Sequence, residues 1–394
     1  MNDSLLLEVR NLQTELTKIR QDIHAHPEMA MEEERTSSLV ATKLNEWGLT
    51  VTKGVGQFGV VGTLTSSKPG TRSIGLRADM DALELIEKCD VPYVSTKSGI
   101  MHACGHDGHT TMLLGAAKYL AEHRDSFCGT VQFIFQPGEE GLRGAIAMIN
   151  DNLFERFPID AVYGLHNMSE PLGTFSIRSG PLMAASDRWY VTFRGTGGHG
   201  GAGPHLATDA TVLQAQFIVA LQTIVSRNVS AIDSAVISVG AIQGGSFLSA
   251  NVMPSEIRIA GTARSFTESV RNLIERRINE LANNLATAFD CTAHIEYSRG
   301  GIPLVNQIEE TQRAINAAEA VVGTANVNKN REPFMGSEDF AFMLLKRPGA
   351  FIFMGINDEK VSVKLHSPDY DFNDDAIPLG VAYWISLVQQ ELKN

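Results

Sequence analysis

The chain has 394 residues, 43% hydrophobic and 20% charged, a balance within the globular range that excludes a fibre or an extensively disordered chain. Its 45 acidic against 33 basic side chains leave a formal net charge of −12, which repels phosphate backbones and anionic lipid and argues against nucleic-acid and membrane-surface partners. The length predicts two packed units rather than one.

The N-terminal stretch is amphipathic and charged, without the apolar core or small-residue cleavage site of a signal peptide, and predicts a cytoplasmic protein. No apolar run reaches the roughly 18 residues of a membrane span. Further along, β-rich apolar runs alternate with helical patterns, which predicts an α/β fold with a mostly parallel sheet. Three of these runs end in chemistry. Ser73 to Arg77 leads into Asp79 and Asp81, Thr130 to Phe135 into Glu139 and Glu140, and Ala161 to Leu165 into His166. Ligands of open α/β sheets bind beyond the carboxyl ends of the strands, so these runs predict one converging site. After Ser179-Gly180-Pro181 the order changes to strand (Trp189 to Arg194), helix (Thr208 to Arg227), strand (Ser234 to Ile242), strand (Glu256 to Ala263), helix (Glu268 to Phe289) and strand (Thr292 to Tyr297). This βαββαβ order is the split pattern of a ferredoxin-like domain. It predicts an inserted domain over 185–299, with 1–184 and 300–394 forming the first domain. The α/β pattern then resumes with a helix near Glu309 to Val322, a strand Gly349 to Ile356 and a helix from Pro378.

The strongest local signal is His102-Ala103-Cys104-Gly105-His106-Asp107-Gly108-His109, ahead of an amphipathic helix. In an extended segment Cys104 and His106, two apart, face the same side and can hold one ion. Thiolate and imidazole suit zinc and also accept manganese, cobalt or nickel. In Gln136-Pro137-Gly138-Glu139-Glu140-Gly141, two adjacent carboxylates repel each other unless a cation is near. Neighbours in such a turn point apart, so one can ligate a metal while the other takes a proton from water, the division that metal-assisted hydrolysis requires. His166 and His366 follow apolar residues at the ends of further segments. With Cys104, His106 and Glu140 they make five O, N and S donors, too many for one tetrahedral ion and suited to a bridged pair. The four cysteines are widely spaced without a CxxC pair, which argues against a disulfide framework.

The strings RADMDAL, HACGHDGHT, QPGEEG, GLHN, GGHG, GSEDF and LHSPDYDF, in this order over nearly the whole chain, resemble the metal-dependent amidohydrolases of the M20 peptidase family, in its hippurate hydrolase, N-acyl-amino-acid amidohydrolase and auxin-conjugate hydrolase branch. The resemblance implies a two-metal catalytic domain with an inserted ferredoxin-like lid domain that commonly dimerises. It implies Cys104, His106, Glu140, His166 and His366 as ligands, Glu139 as general base, and Asp81 as a residue orienting a ligand. It also implies that His199 reaches the neighbouring subunit's site, where a donor to the tetrahedral oxyanion is needed. The substrate implied is a small N-acyl amino acid, with cleavage of short peptides by a dipeptidase, aminopeptidase or carboxypeptidase as the alternative. A non-catalytic binding protein would have dispensed with Glu139, which is present. The carboxylate of such a substrate needs a local cation, for which Arg264 is the candidate, with Asn251 beside it as a hydrogen-bonding neighbour. Glu84 stands where the family usually has Pro, and the stretches His199 to His205 and Gly244 to Ala250 are longer than usual. The pattern Gly195-x-Gly197-x-x-Gly200 fails as a dinucleotide fingerprint, because no acid stands near 20 positions on and Pro204 separates it from the next helix.

Overall fold

The computed structural model of the chain describes residues 3–359, 362 and 364–393. They form two compact units, one comprising Met1–Leu182, Val305–Glu332 and Glu338–Asn394, the other Met183–Leu304 and Pro333–Ser337.

The first unit is built on an eight-stranded sheet. Its strands are β1 (Thr50–Val55), β2 (Gly59–Thr65), β3 (Lys68–Asp79), β4 (Cys128–Gln136), β5 (Ala161–Pro171), β6 (Phe175–Ser176), β7 (Val327–Asn328) and β8 (Gly349–Asn357). The order across the sheet is β1-β2-β4-β3-β5-β8-β6-β7. The centre, β4-β3-β5-β8, is parallel, and β1 and β2 extend it antiparallel. Strands covered on both faces carry continuous apolar runs rather than alternation; in β8 every residue but the last is buried. Helices Gln13–Ala25 and Ile377–Glu391 pack on helix His106–Glu122, and Ile377–Glu391 also packs on Ile308–Val322. Leu16, Met112, Leu113, Val381 and Trp384 lie in the resulting core, each such side chain contributing about 1.5–3 kcal/mol on burial.

The register places the chemistry. Asp79, the last residue of β3, pairs with Gln136 at the end of β4. One prediction differs in detail: His166 is not at the end of its strand but inside β5, paired with Phe353 of β8. Pairing of β5 with β3 stops two residues earlier, at Gly164 opposite Arg77. His166 is thus within a strand yet past the edge of its neighbour, so its ring is free to face the turns that follow β3 and β4.

The second unit holds a four-stranded antiparallel sheet, in the order Ala235–Gln243, Glu256–Ser265, Ala185–Arg194, Thr292–Arg299. Helices Ala210–Thr223 and Glu268–Ala288 cover one face, where Trp189, Val191 and Phe193 meet Leu213, Phe217, Ile274 and Ile278. The first helix begins two residues later than its apolar pattern suggests because Asp209 caps it, accepting from Thr211 N and Val212 N. The segment 333–337 joins this unit, although the sequence pattern places it with the catalytic segment. Ala184 N donates to Phe334 O and Gly336 O, and Ser337 Oγ donates to Ala184 O. Backbone pairing between distant residues leaves no trace in local composition. Among the described residues, no helix is long and apolar enough to cross a membrane.

Candidate metal centre

Cys104 leads into helix His106–Glu122 through Gly105, whose φ of 92° only glycine adopts freely. A Cβ there would lie 2.2 Å from Asn167 Oδ1 and 2.4 Å from the Tyr370 hydroxyl. The tight entry delivers Cys104 and His106 from a loop end and a first helical turn. The turn after β4 brings Glu139 and Glu140, β5 brings His166, and the loop before the last helix brings His366.

Cys104 Sγ lies 3.3 Å from both His166 Nε2 and His366 Nε2, and His366 Nε2 lies 3.3 Å from Glu140 Oε1. Donor atoms of Cys104, His106 and His166 lie within 4.8 Å of one another, as do those of Cys104, Glu140 and His366. Two triads therefore share the thiol. The second nitrogen of the His106 and His166 rings has its own partner. Asp81 Oδ1 is 3.1 Å from His106 Nδ1, and Asn167 O is 2.6 Å from His166 Nδ1. A proton on each Nδ1 leaves the Nε2 lone pairs directed at the cluster, the tautomer a metal ligand needs. Among the described residues, His106 Nε2 and Glu140 Oε1 are buried without a hydrogen-bond partner. Leaving such atoms unpaired costs about 1–3 kcal/mol each, a cost that a coordinated cation removes. The donor set thus fits a divalent metal of borderline softness.

The electrostatics agree. Burial, then Glu338 and Glu140, push the Glu139 carboxyl well above the usual range. Burial, then Glu140 and Glu139, do the same to the Cys104 thiol. Burial works against a proton on His106, but Asp79 and Asp81 raise it to about 10. Each shift reports an excess of buried negative charge. A bound cation reverses the first two, favouring carboxylate and thiolate.

Several buried partners escaped the sequence reading. Arg77, on β3 and fully buried, contacts Asp79 Oδ2 at 2.6 Å, Glu338 Oε1 at 2.8 Å and Asp339 Oδ1 at 3.2 Å, and Gln136 Oε1 at 2.9 Å. His109 joins Asp79 at 2.6 Å and Asn167 at 2.6 Å. Two signals were legible: an arginine inside an apolar parallel strand demands buried acids, and Glu338-Asp339 precedes the apolar Phe340-Ala341-Phe342. Asp107, within the same motif as the ligands, faces away toward His24 and Arg20.

The remaining candidates lie in the second unit. His199 is exposed on a short ribbon, Gly198–His199 paired with Val252–Met253. Its Nδ1 accepts from Gly201 N at 3.1 Å and Ala202 N at 3.0 Å, which leaves the proton on Nε2. Asn251 is adjacent, its carbonyl accepting from Gly200 N. Arg264 donates to Thr262 Oγ1 and to Ala263 O. Among the described residues no acid lies within ion-pair distance of it, and burial lowers its pKa.

Residues 75–390 match the model of peptidase family M20/M25/M40. The chain is 41% identical to a hippurate hydrolase of Campylobacter jejuni, over 99% of this chain and 100% of that one. It is 39% identical to an N-acetyl-L-cysteine deacetylase of Bacillus subtilis, over 94% of this chain and 86% of that one. Among solved structures, a dinuclear metal-binding peptidase of the M20 family from Bacillus subtilis superposes with a TM-score of 0.82 at 29% identity, covering 97% of this chain and 99% of that one. With the family model spanning most of its length and near-complete alignment to these relatives, the chain belongs to peptidase family M20/M25/M40 and is a hydrolase of amide bonds.

Proposed function

We propose that this hydrolase cleaves N-acyl amino acids of the hippurate or N-acetyl type, using two divalent cations, zinc, manganese, cobalt or nickel, held by Cys104, His106, Glu140, His166 and His366. The convergence of these five donors, with His106 Nε2 and Glu140 Oε1 lacking a hydrogen-bond partner among the described residues, carries the reading. The substrate class draws support from the hippurate hydrolase and the deacetylase, whose names describe N-acyl amino acids. When bound, such cations supply Lewis acidity, making a water acidic enough to lose a proton near neutral pH. Glu139 takes that proton and passes it to the leaving nitrogen. Asp81 orients His106 and, through Glu140 N, the turn carrying both glutamates. Arg264, free of an acid partner, and Asn251 hold the substrate carboxylate.

In this reading the first unit, predicted as 1–184 and 300–394, forms the catalytic domain, and the second, predicted as 185–299, a lid that also dimerises. His199 donates a hydrogen bond from Nε2–H to the oxyanion of the neighbouring subunit's substrate, a contribution worth about 10² to 10³ in rate. The protein is a cytoplasmic homodimer or higher homo-oligomer, and a ligating Cys104 works only while reduced.

Three experiments test these assignments. The metal-loaded enzyme is expected to hydrolyse hippurate and N-acetyl amino acids faster than any dipeptide in a panel; the reverse ranking makes it a peptidase. Arg264→Ala is expected to raise KM for an N-acyl amino acid more than for its carboxamide analogue, and equal effects would make Arg264 structural. For His199, subunits of inactive His199→Ala and Glu139→Ala variants are mixed and exchanged. Each hybrid regains one intact site if His199 acts in trans, and demonstrated hybrids that stay inactive exclude it.

A further inference from the structure

The turn that carries Glu139 and Glu140 is closed on one side by its own backbone: Leu142 N donates to Glu139 O at 2.7 Å, and Arg143 N and Gly144 N donate to Gly138 O at 3.2 and 3.1 Å. On the other side, side chains hold it. Asp81 Oδ2 accepts from Glu140 N at 2.9 Å, and Glu33 Oε1 accepts from Gly138 N at 2.7 Å. Glu139 is therefore suspended between two peptide N–H groups, each clasped by a carboxylate.

Asp81 also contacts the ligand His106. Among the described residues Glu33 makes no hydrogen bond or ion pair to the donor set, and its position needs another explanation. It precedes helix Glu34–Glu46 at the capping position, yet its side chain makes no cap bond to that helix. Glu28 does that work, accepting from Arg35 N at 2.9 Å and Thr36 N at 2.8 Å. The Glu33 side chain instead turns inward, fully buried, where Oε1 also accepts from Met31 N at 3.0 Å and Oε2 has no hydrogen-bond partner among the described residues. Met31 adopts φ 67°, a conformation few long side chains take. Its sulfur lies 2.7 Å from where a Cβ on Gly138 would sit. The segment 28–33 is thus pressed directly on the turn, and its buried acid, half unpartnered, adds little to stability on its own account.

We infer that Glu33 is a positioning residue for Glu139: by fixing the Gly138 N–H it sets the peptide plane from which the Glu139 carboxylate is aimed. The inference rests on Glu139 being the general base. No other group bonds Gly138 N among the described residues, so removing the acceptor frees the entry side of the turn while the metal ligands keep their own supports.

The test compares Glu33→Ala and Glu33→Gln in the metal-loaded enzyme, with Glu139→Gln alongside, measuring kcat, KM, metal content and thermal unfolding. Glu33→Ala is expected to lower kcat about ten- to a hundredfold, the scale of a small misplacement of a reacting group, with KM and metal content unchanged. Glu33→Gln keeps a carbonyl acceptor for Gly138 N and is expected to recover most of that loss. Wild-type kcat in a folded Glu33→Ala overturns the inference. So does metal loss in that variant, an equal kcat loss in both variants, or failure of both to fold, because Glu33 would then serve the metal site, a charge requirement or the fold. If Glu139→Gln retains turnover, the base assignment falls, and this inference with it. If Glu139→Gln is inactive while Glu33→Ala is normal, only the positioning role falls.

Discussion

Glu139→Gln is expected to keep its metal and lose at least about 10²-fold in turnover, as when a general base is removed. Glutamine matches glutamate in shape but cannot take the proton of the attacking water. Glu140→Gln is expected to release metal instead, because the Glu140 carboxylate joins Cys104 and His366 in one donor triad, its Oε1 against His366, and metal affinity depends on each ligand. Elemental analysis beside steady-state kinetics separates the two. Exchanged phenotypes would reverse the roles. Cys104→Ala should resemble Glu140→Gln more severely, since Cys104 belongs to both donor triads. Full metal occupancy in that variant would remove it from the ligand set.

Arg77→Met is expected to destabilise the protein by about 3–5 kcal/mol, the effect of removing one partner from a buried ion cluster. Methionine fills much of the space but leaves Asp79, Glu338 and Asp339 buried without their cation. The deficit should depend on pH. Even beside Arg77, burial raises the carboxyls of Glu338 and Asp339 above their ordinary range, and loss of the guanidinium raises them further. A carboxyl whose pKa is higher folded than unfolded binds more protons in the folded state, so stability falls as pH rises. Urea unfolding should therefore show a larger deficit at about pH 8 than at about pH 5.5. Adding Glu338→Gln should restore part of it, since these groups act as one network. A pH-independent deficit would mean that lost packing, not uncompensated charge, is the cause.

Local pattern carried much of this architecture. Parallel strands covered on both faces must be apolar throughout, so β3, β4, β5 and β8 were legible as continuous runs, and the βαββαβ order marked the inserted antiparallel unit. The donors Cys104, His106 and Glu140 were legible for a related reason: thiol, imidazole and paired acids among glycines have little value for packing. Three things were decided only by the tertiary structure. His166 takes its place from the register of β5, which runs past β3 before its ring can face Cys104. The segment 333–337 joins the second unit through backbone bonds to Ala184, which no side chain advertises. The roles of Arg77, Glu338 and Glu33 arise because residues far apart in sequence are buried together, where an unpaired charge or N–H is costly and must find its partner. Sequence by itself determined which residues could do chemistry and which strands would be buried, because composition and period act locally. Which carboxylate meets a ligand, which holds a backbone N–H and which balances an arginine depends on distances of a few ångströms, and those exist only once the chain has folded.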